Sequence, residues 1–260
     1  MSSISTKYAC GVEYIGTHYK GWQSQDNQDT IQDSIEDALS QVANKKTRIH
    51  SAGRTDSGVH ACGQIFHFLS DAKRNEKQWI DGMNSNLTKD ISIQWVKTVN
   101  DDFDARRSAI HRTYIYLVNN QAFDVFYHER SLYVRQKLDL TSMIEASKYL
   151  IGRHDFSSFR ASSCQSKNPV REMMEIEIKS NRLISIEFRA NAFLHHMIRN
   201  IIGTLLEVGI GSINPLEMKH ILEARDRTKA YKTSPSSGLY LVNIEYPKKY
   251  QLPCRSFEII

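Results

Sequence analysis

The strongest constraint on the fold is a stretch in the second half of the chain that reads as an antiparallel hairpin. Met174, Ile176 and Ile178 alternate with Glu175, Glu177 and Lys179, Ser180-Asn181 offers a turn, and Ile184, Ile186 and Phe188 alternate again on the return. A period of two gives each strand one apolar face, and such a ribbon must bury that face against further elements. Those elements are legible on both sides of it. Ile31, Ile35, Ala38, Leu39 and Val42 recur on one helical face, Thr30 with Asp33 resembles a capping box, and Asn44 ends the run. A weaker helix is predicted around Glu76 to Met83, another from Ser142, with Glu145 as box partner, to Ile151 before Gly152. Further helices fit 192 to 208 and 215 to 224, the latter opened by Asn214 as cap and Pro215 at its first position. Strands fit 7 to 16, 47 to 52, 59 to 68, 91 to 98, 113 to 118, 131 to 135 and 239 to 246.

Both halves thus run approximately strand, helix, two strands, helix, strand. The expected class is α+β: two related halves, 1–105 and 106–260, sharing a mainly antiparallel sheet with a central catalytic cleft. No Pro/Gly/Ser-rich linker separates them, so a tight junction is expected.

A 40% apolar chain of 260 residues can bury a sizeable core, and no run of about 18 uncharged apolar residues occurs. The start, Met1 to Lys7, lacks a basic region followed by an apolar stretch, so a cytoplasmic chain is expected. Cys10, Cys62, Cys164 and Cys254 are scattered and make no Cys-x-x-Cys pair, which argues against a zinc ribbon or redox motif. The net charge of +5 favours polyanionic partners. Lys45, Lys46 and Arg48 form one basic cluster, and Arg106, Arg107 and Arg112 form another. Each cluster reads either as an RNA-binding surface or as a solvated face.

The chemistry concentrates in Gly53-Arg54-Thr55-Asp56-Ser57-Gly58, a loop between two predicted strands. Composition leaves two readings open: a turn whose carboxylate bonds nearby N–H groups, or a functional loop in which glycines admit a substrate and Arg and Asp supply charge. Downstream, the apolar series Phe193, Met197, Ile198, Ile201, Ile202, Leu205 carries a polar stripe of His195, His196, Arg199 and Asn200 that should face a cleft. His195 and His196, as helix neighbours, would point about 100° apart and could not chelate one ion together, so no metal site is expected. His154-Asp155 with Ser157 resembles a hydrolase triad only in composition. Tyr14, Tyr19 and Trp22 suit either base stacking or strand-end packing.

Gly53-Arg54-Thr55-Asp56-Ser57-Gly58-Val59-His60-Ala61 resembles the catalytic signature of the TruA family of tRNA pseudouridine synthases. Four more segments match that family in order: Tyr14 to Gln25, Arg112 to Tyr116, Phe193 to Asn200 and Gly238 to Leu241. The resemblance implies Asp56 as catalytic carboxylate, Tyr114 against the target base, Arg199 as the cation paired with Asp56, Arg54 in the space left by the extruded nucleotide, and Leu239 in the uridine pocket. It also implies no cofactor, uridines 38 to 40 of the tRNA anticodon stem-loop as substrates, and a homodimer. Ile15, Arg107, Ser234 and Ser236 depart from the family's usual Asp, Phe and alanines, and Arg107 adds a cation that suits phosphate. The rival classes are a non-catalytic tRNA-binding protein or RNA chaperone, which would not need Asp56, and a hydrolase using the histidines.

Overall fold

The computed structural model describes residues 5–253, so Met1 to Ile4 and Cys254 lie outside the described residues. The chain divides into two compact units, one running to Ile110 and resuming at Tyr240, the other His111–Leu239.

In the first unit, β1 (Thr6–Tyr14) lies between β3 (His60–Ser70) and β4 (Ile91–Thr98), antiparallel to both. A two-residue β2 (His50–Ser51) also pairs with β3, short of the 47–52 expected, and the rest of that stretch is irregular. Helix α1 (Ile31–Ala43) buries Ile31, Ile35, Ala38 and Leu39, as the periodicity requires. The Thr30 hydroxyl caps it by accepting from Asp33 N–H at 3.2 Å, and Asn44 closes it in the left-handed conformation at φ 54°. Helix α2 (Glu76–Asn86) starts where expected, at a complete capping box formed by Asn75 and Gln78, and runs three residues past Met83. Trp79 from α2 packs edge-on to Phe68 of β3, and Tyr8 of β1 stacks on the same ring.

The second unit opens on β5 (His111–Asn119), a two-residue β6 (Leu132–Tyr133) beside it, and α3 (Leu140–Lys148). The cap of α3 is Asp139, which accepts from Thr141 and Ser142 N–H and from the Ser142 hydroxyl; Ser142 is therefore the cap's partner and lies inside the helix. Then come β7 (Gly152–Asp155), β8 (Val170–Ser180), β9 (Ile184–Ala190), α4 (Met197–Gly209) and α5 (Glu217–Ala224). The strand order is β5-β9-β8-β7, each neighbour antiparallel. The hairpin forms as predicted, with Ile178 opposite Ile186 and Ser180 opposite Ile184. A register shift between Met173 and Glu175 changes its start: Met173 is buried, while Met174, Ile176 and Ile178 are half-buried. Helix α4 begins five residues later than expected, because His196 sits in the left-handed conformation at φ 61°.

The last strand, β10 (Leu239–Glu245), pairs in parallel with β3 through Tyr240–His60 and Leu241–Ala61. It packs with the first unit, whereas sequence order groups it with 106–260. Both units are α+β with mainly antiparallel pairing. Among the described residues no helix is long and apolar enough to cross a membrane, and Cys10, Cys62 and Cys164 form no disulfide.

On the opposite face of β3 from Phe66 and Phe68, His67 is buried against Phe103 and stacked on His50, and its Nδ1 accepts the Ala105 N–H at 3.1 Å. Burial, with the neighbouring His50 second, holds its pKa down to about 4 against an ordinary 6.5. Between those values the unfolded chain binds a proton that the folded chain refuses, so stability is intact above 6.5 and falls as pH drops toward 4, by up to about 3 kcal/mol. His67→Asn keeps an acceptor for Ala105 and removes the titration. In urea unfolding at pH 7.5 and pH 4, the parent is expected to lose about 3 kcal/mol more than His67→Asn. Equal losses would contradict the assignment.

Candidate active site

The loop between β2 and β3 is shaped from below by the segment that follows β1. Tyr14, Tyr19 and Trp22 are 3%, 8% and 1% exposed, so strand-end packing accounts for them. The Tyr14 hydroxyl and the Thr55 hydroxyl are 2.8 Å apart, and the Trp22 N–H donates to the Thr55 carbonyl at 3.0 Å. The carbonyl of Tyr19 accepts from the Ser57 hydroxyl at 3.2 Å and from Gly58 N–H at 3.4 Å. Gly21 makes this approach possible: its φ is +88°, and a Cβ there would stand 2.7 Å from the Thr55 carbonyl oxygen. At the loop's entrance Gln64, fully buried, donates to the Gly53 carbonyl at 2.8 Å.

Thr55 is therefore pinned inward. On either side of it Arg54 is exposed and Asp56 is half-buried, as alternation about a buried residue dictates. The turn is closed by main-chain atoms, Val59 N–H to the Asp56 carbonyl at 3.1 Å, with Gly58 at φ +77°. Thr55 and Gln64 position this loop, and sequence reasoning missed both. The only local signal was Thr55 between two charged residues.

In the second unit Tyr114 lies on β5 opposite Phe188, half-buried, with its ring edge-on to Phe193 at 5.1 Å. Two residues on, Tyr116 is fully buried and donates its hydroxyl to the Pro235 carbonyl at 2.8 Å; burial pushes its ionisation far up, so it remains a donor. Arg199 stands in the first turn of α4, half-buried, with Nε donating to the Ser234 carbonyl at 2.8 Å and its own carbonyl accepting Ser234 N–H at 3.1 Å. Arg199 also lines a cavity of about 520 Å3 with Pro235, Ser236, Ser237 and the segment from Asn119 to Tyr133. Tyr114 and Leu239 do not line it; Leu239 is buried at the start of β10.

The polar stripe expected on α4 divides. Asn200 is fully buried, donating to the Phe159 carbonyl at 2.7 Å and accepting from Thr233 at 2.6 Å, which makes it a core fastening. His195 and His196 precede the helix, and their ring centroids are 4.1 Å apart, so the argument from helical divergence does not apply to them. Of the triad-like residues, His154 and Asp155 lie on β7 and Ser157 in the short helical turn after it: Asp155 accepts the Ser157 N–H at 2.9 Å, and the His154 ring meets the Ile151 carbonyl at 2.8 Å. Lys45, Lys46, Arg48, Arg106 and Arg107 are exposed, Lys45 beside Asp71 at 3.2 Å. Arg112 is half-buried and donates to the Asn191 carbonyl at 2.9 Å.

The profile of a family described as tRNA pseudouridine synthase matches residues 11–106 and 146–247, which include the Asp56 loop, the β8–β9 hairpin, Arg199 and Leu239. The chain belongs to that family. The activity the family is named for, isomerisation of uridine to pseudouridine in tRNA, makes it an isomerase. Proteins named tRNA pseudouridine synthase A are similar over nearly the whole length: one from Shewanella sediminis is 45% identical over 95% of each chain, and one from Alcanivorax borkumensis is 45% identical over 95% of this chain and 94% of its own. One from Histophilus somni is 46% identical over 95% of this chain and 93% of its own. A solved structure of a Cbf5-Nop10-Gar1 complex aligns at 12% identity and a TM-score of 0.37 over 76% of this chain and 45% of that one, too distant to add to this.

Because Gly21 sits against Thr55, Gly21→Ala is expected to displace the backbone that carries Asp56. Turnover should fall by about 100-fold, and the melting temperature should drop through about 1 to 3 kcal/mol of strain. Gly53→Ala, whose added Cβ meets open space, should melt as the parent does. A Gly21→Ala protein with parental turnover would show that the buttress is dispensable.

Proposed function

We propose that this chain converts uridines 38 to 40 of the tRNA anticodon stem-loop to pseudouridine, with Asp56 as the catalytic carboxylate and no cofactor. One observation carries the reading: Thr55 is pinned by Tyr14 and Trp22, and the residue next to it is a half-buried carboxylate in a loop further held by the Gln64 side chain and the Tyr19 carbonyl. The reaction breaks the C1′–N1 bond and makes a C1′–C5 bond; N1 gains a proton and C5 loses one, so no electrons are exchanged. Three routes use the same carboxylate: attack on C1′, attack on C6, or removal of a ribose proton. Each requires it ionised, and a nearby cation favours that form. Arg199 is assigned that role.

A base in a stem is out of reach until it is flipped, at a cost of a few kcal/mol. Arg54 fills the vacated space, Tyr114 packs against the extruded base, and Leu239 closes the uridine pocket. Lys45, Lys46, Arg48, Arg106, Arg107 and Arg112 offset phosphate charge. The working unit is a homodimer in the cytoplasm, as the family resemblance suggests.

The test is single-turnover kinetics on an unmodified anticodon stem-loop. Asp56→Asn is nearly isosteric and should keep stem-loop affinity within about twofold while the rate falls by about 1,000-fold or more. Arg199→Ala alone should also slow the reaction sharply, but added to Asp56→Asn it should cost little further, since residues acting as a unit are not additive. An Asp56→Asn rate within about tenfold of the parent would overturn the catalytic assignment. Additive losses would overturn the pairing with Arg199.

A further inference from the structure

We propose that the pocket bounded by Arg160, Arg225 and Arg227 binds a backbone phosphate of the tRNA substrate; this rests on the reading of tRNA as substrate above and adds a site to it. The pocket, about 340 Å3, lies between the short helical turn Ser157–Phe159 with the residues after it and the end of α5. Its walls are fastened together. The Ser158 hydroxyl, fully buried, donates to the Ile221 carbonyl at 2.5 Å and accepts the Asp226 N–H at 2.9 Å. Arg225 closes α5 in the left-handed conformation at φ 51°, so the chain turns back and sets Arg225 and Arg227 on the same pocket.

The charges in this pocket are incompletely matched. Arg227 donates to the Ala230 carbonyl, the Asn200 amide oxygen and the Thr233 hydroxyl, at 3.0, 3.2 and 3.1 Å, all neutral acceptors. Arg225 meets Asp155 only at 3.9 Å, and that carboxylate already accepts the Ser157 N–H. Asp226 lines the pocket as well, but its Oδ1 accepts from the main chain and hydroxyl of Thr228 at 2.9 and 2.8 Å. Arg160 is half-buried, and among the described residues its guanidinium has no hydrogen-bond or ion-pair partner. A half-buried guanidinium without a partner, beside a second whose contacts are all neutral, is a site for an oxyanion. A tetrahedral phosphate offers oxygens in several directions, which suits guanidinium groups converging from two walls.

The pocket's position suits the reaction. Asn200, one residue after Arg199, donates to the Phe159 carbonyl and accepts from Arg227, and Ala161 N–H donates to the His195 carbonyl at 2.9 Å. A phosphate held here is registered against the helix that carries Arg199 through a short, fully hydrogen-bonded path. None of the three arginines lies in the basic clusters that the sequence displays, because the pocket joins segments more than 60 residues apart.

The experiment measures tRNA dissociation constants across a salt series for the full-length parent, Arg160→Gln, Arg225→Gln and Arg160→Lys, with melting temperatures as a check on folding. Arg160→Gln and Arg225→Gln should each weaken binding by about 5- to 20-fold at ~0.1 M salt and lower the log-log salt slope by about one, with parental melting. Arg160→Lys should recover most of the affinity. Titration with inorganic phosphate alone separates the sources of the anion: phosphate binding lost in Arg160→Gln with an unchanged tRNA slope would mean a small-anion site and overturn the proposal. Unchanged affinity and slope in both Gln variants would overturn it too. The slope is read whether or not turnover occurs, so a parent that binds tRNA without making pseudouridine would count against the catalytic reading alone.

Discussion

The candidate site depends on the packing of the segment after β1 beneath the loop before β3. Thr55 is gripped from two directions, by the Tyr14 hydroxyl and by the Trp22 N–H, and Gly21 allows the two backbones to come this close. A buried hydroxyl pair with one partner removed leaves an unsatisfied group at a cost of about 1 to 3 kcal/mol, so the grip is also a registration device. With Thr55 pinned inward, its neighbours have only the outward directions, and Asp56 is held on a rigid platform although it stands on a loop. The aromatic residues that could have stacked on a base are spent on building that platform.

The second unit uses the same economy on α4. Gly203 lets the chain at Lys232 pass so close that a Cβ would stand 1.8 Å from its carbonyl, and Arg199 then fastens Ser234 through both its side chain and its carbonyl. Tyr116 fixes the next carbonyl, that of Pro235. The segment 232–237 is thereby laid along the start of α4, where it helps to wall the cavity that Arg199 lines. Arg199 thus has a structural duty whatever its part in the chemistry, which is why its effect on rate has to be separated from its effect on folding.

Much of this was legible in the sequence because it is local. The Met174 to Phe188 alternation, the Ile31 to Val42 stripe and the Thr30 cap each encode their own geometry within a few residues. The failures share a cause in distant or competing contacts. Ser142 looked like a cap until Asp139 supplied a carboxylate that serves two N–H groups and the Ser142 hydroxyl itself. The apolar run from Phe193 extended the periodicity of α4 across His196, whose left-handed backbone breaks the helix. Met173 took the core position through a bulge that alternation does not foresee. The return of β10 to β3 is a pairing across about 180 residues, for which no periodicity exists. The five motifs carried the family, because a loop such as Gly53 to Gly58 is ambiguous by composition and specific only as an ordered set.

The central claim is that the chain changes the covalent structure of the uridines it binds in the anticodon stem-loop. The direct measurement is incubation of the purified protein with unmodified tRNA, without added cofactor, followed by mass-spectrometric mapping of pseudouridine. Pseudouridine at positions 38 to 40, absent from tRNA incubated without protein, is the expected result. Tight binding of the same tRNA with every uridine unchanged would contradict it, and would leave a tRNA-binding protein in place of an enzyme.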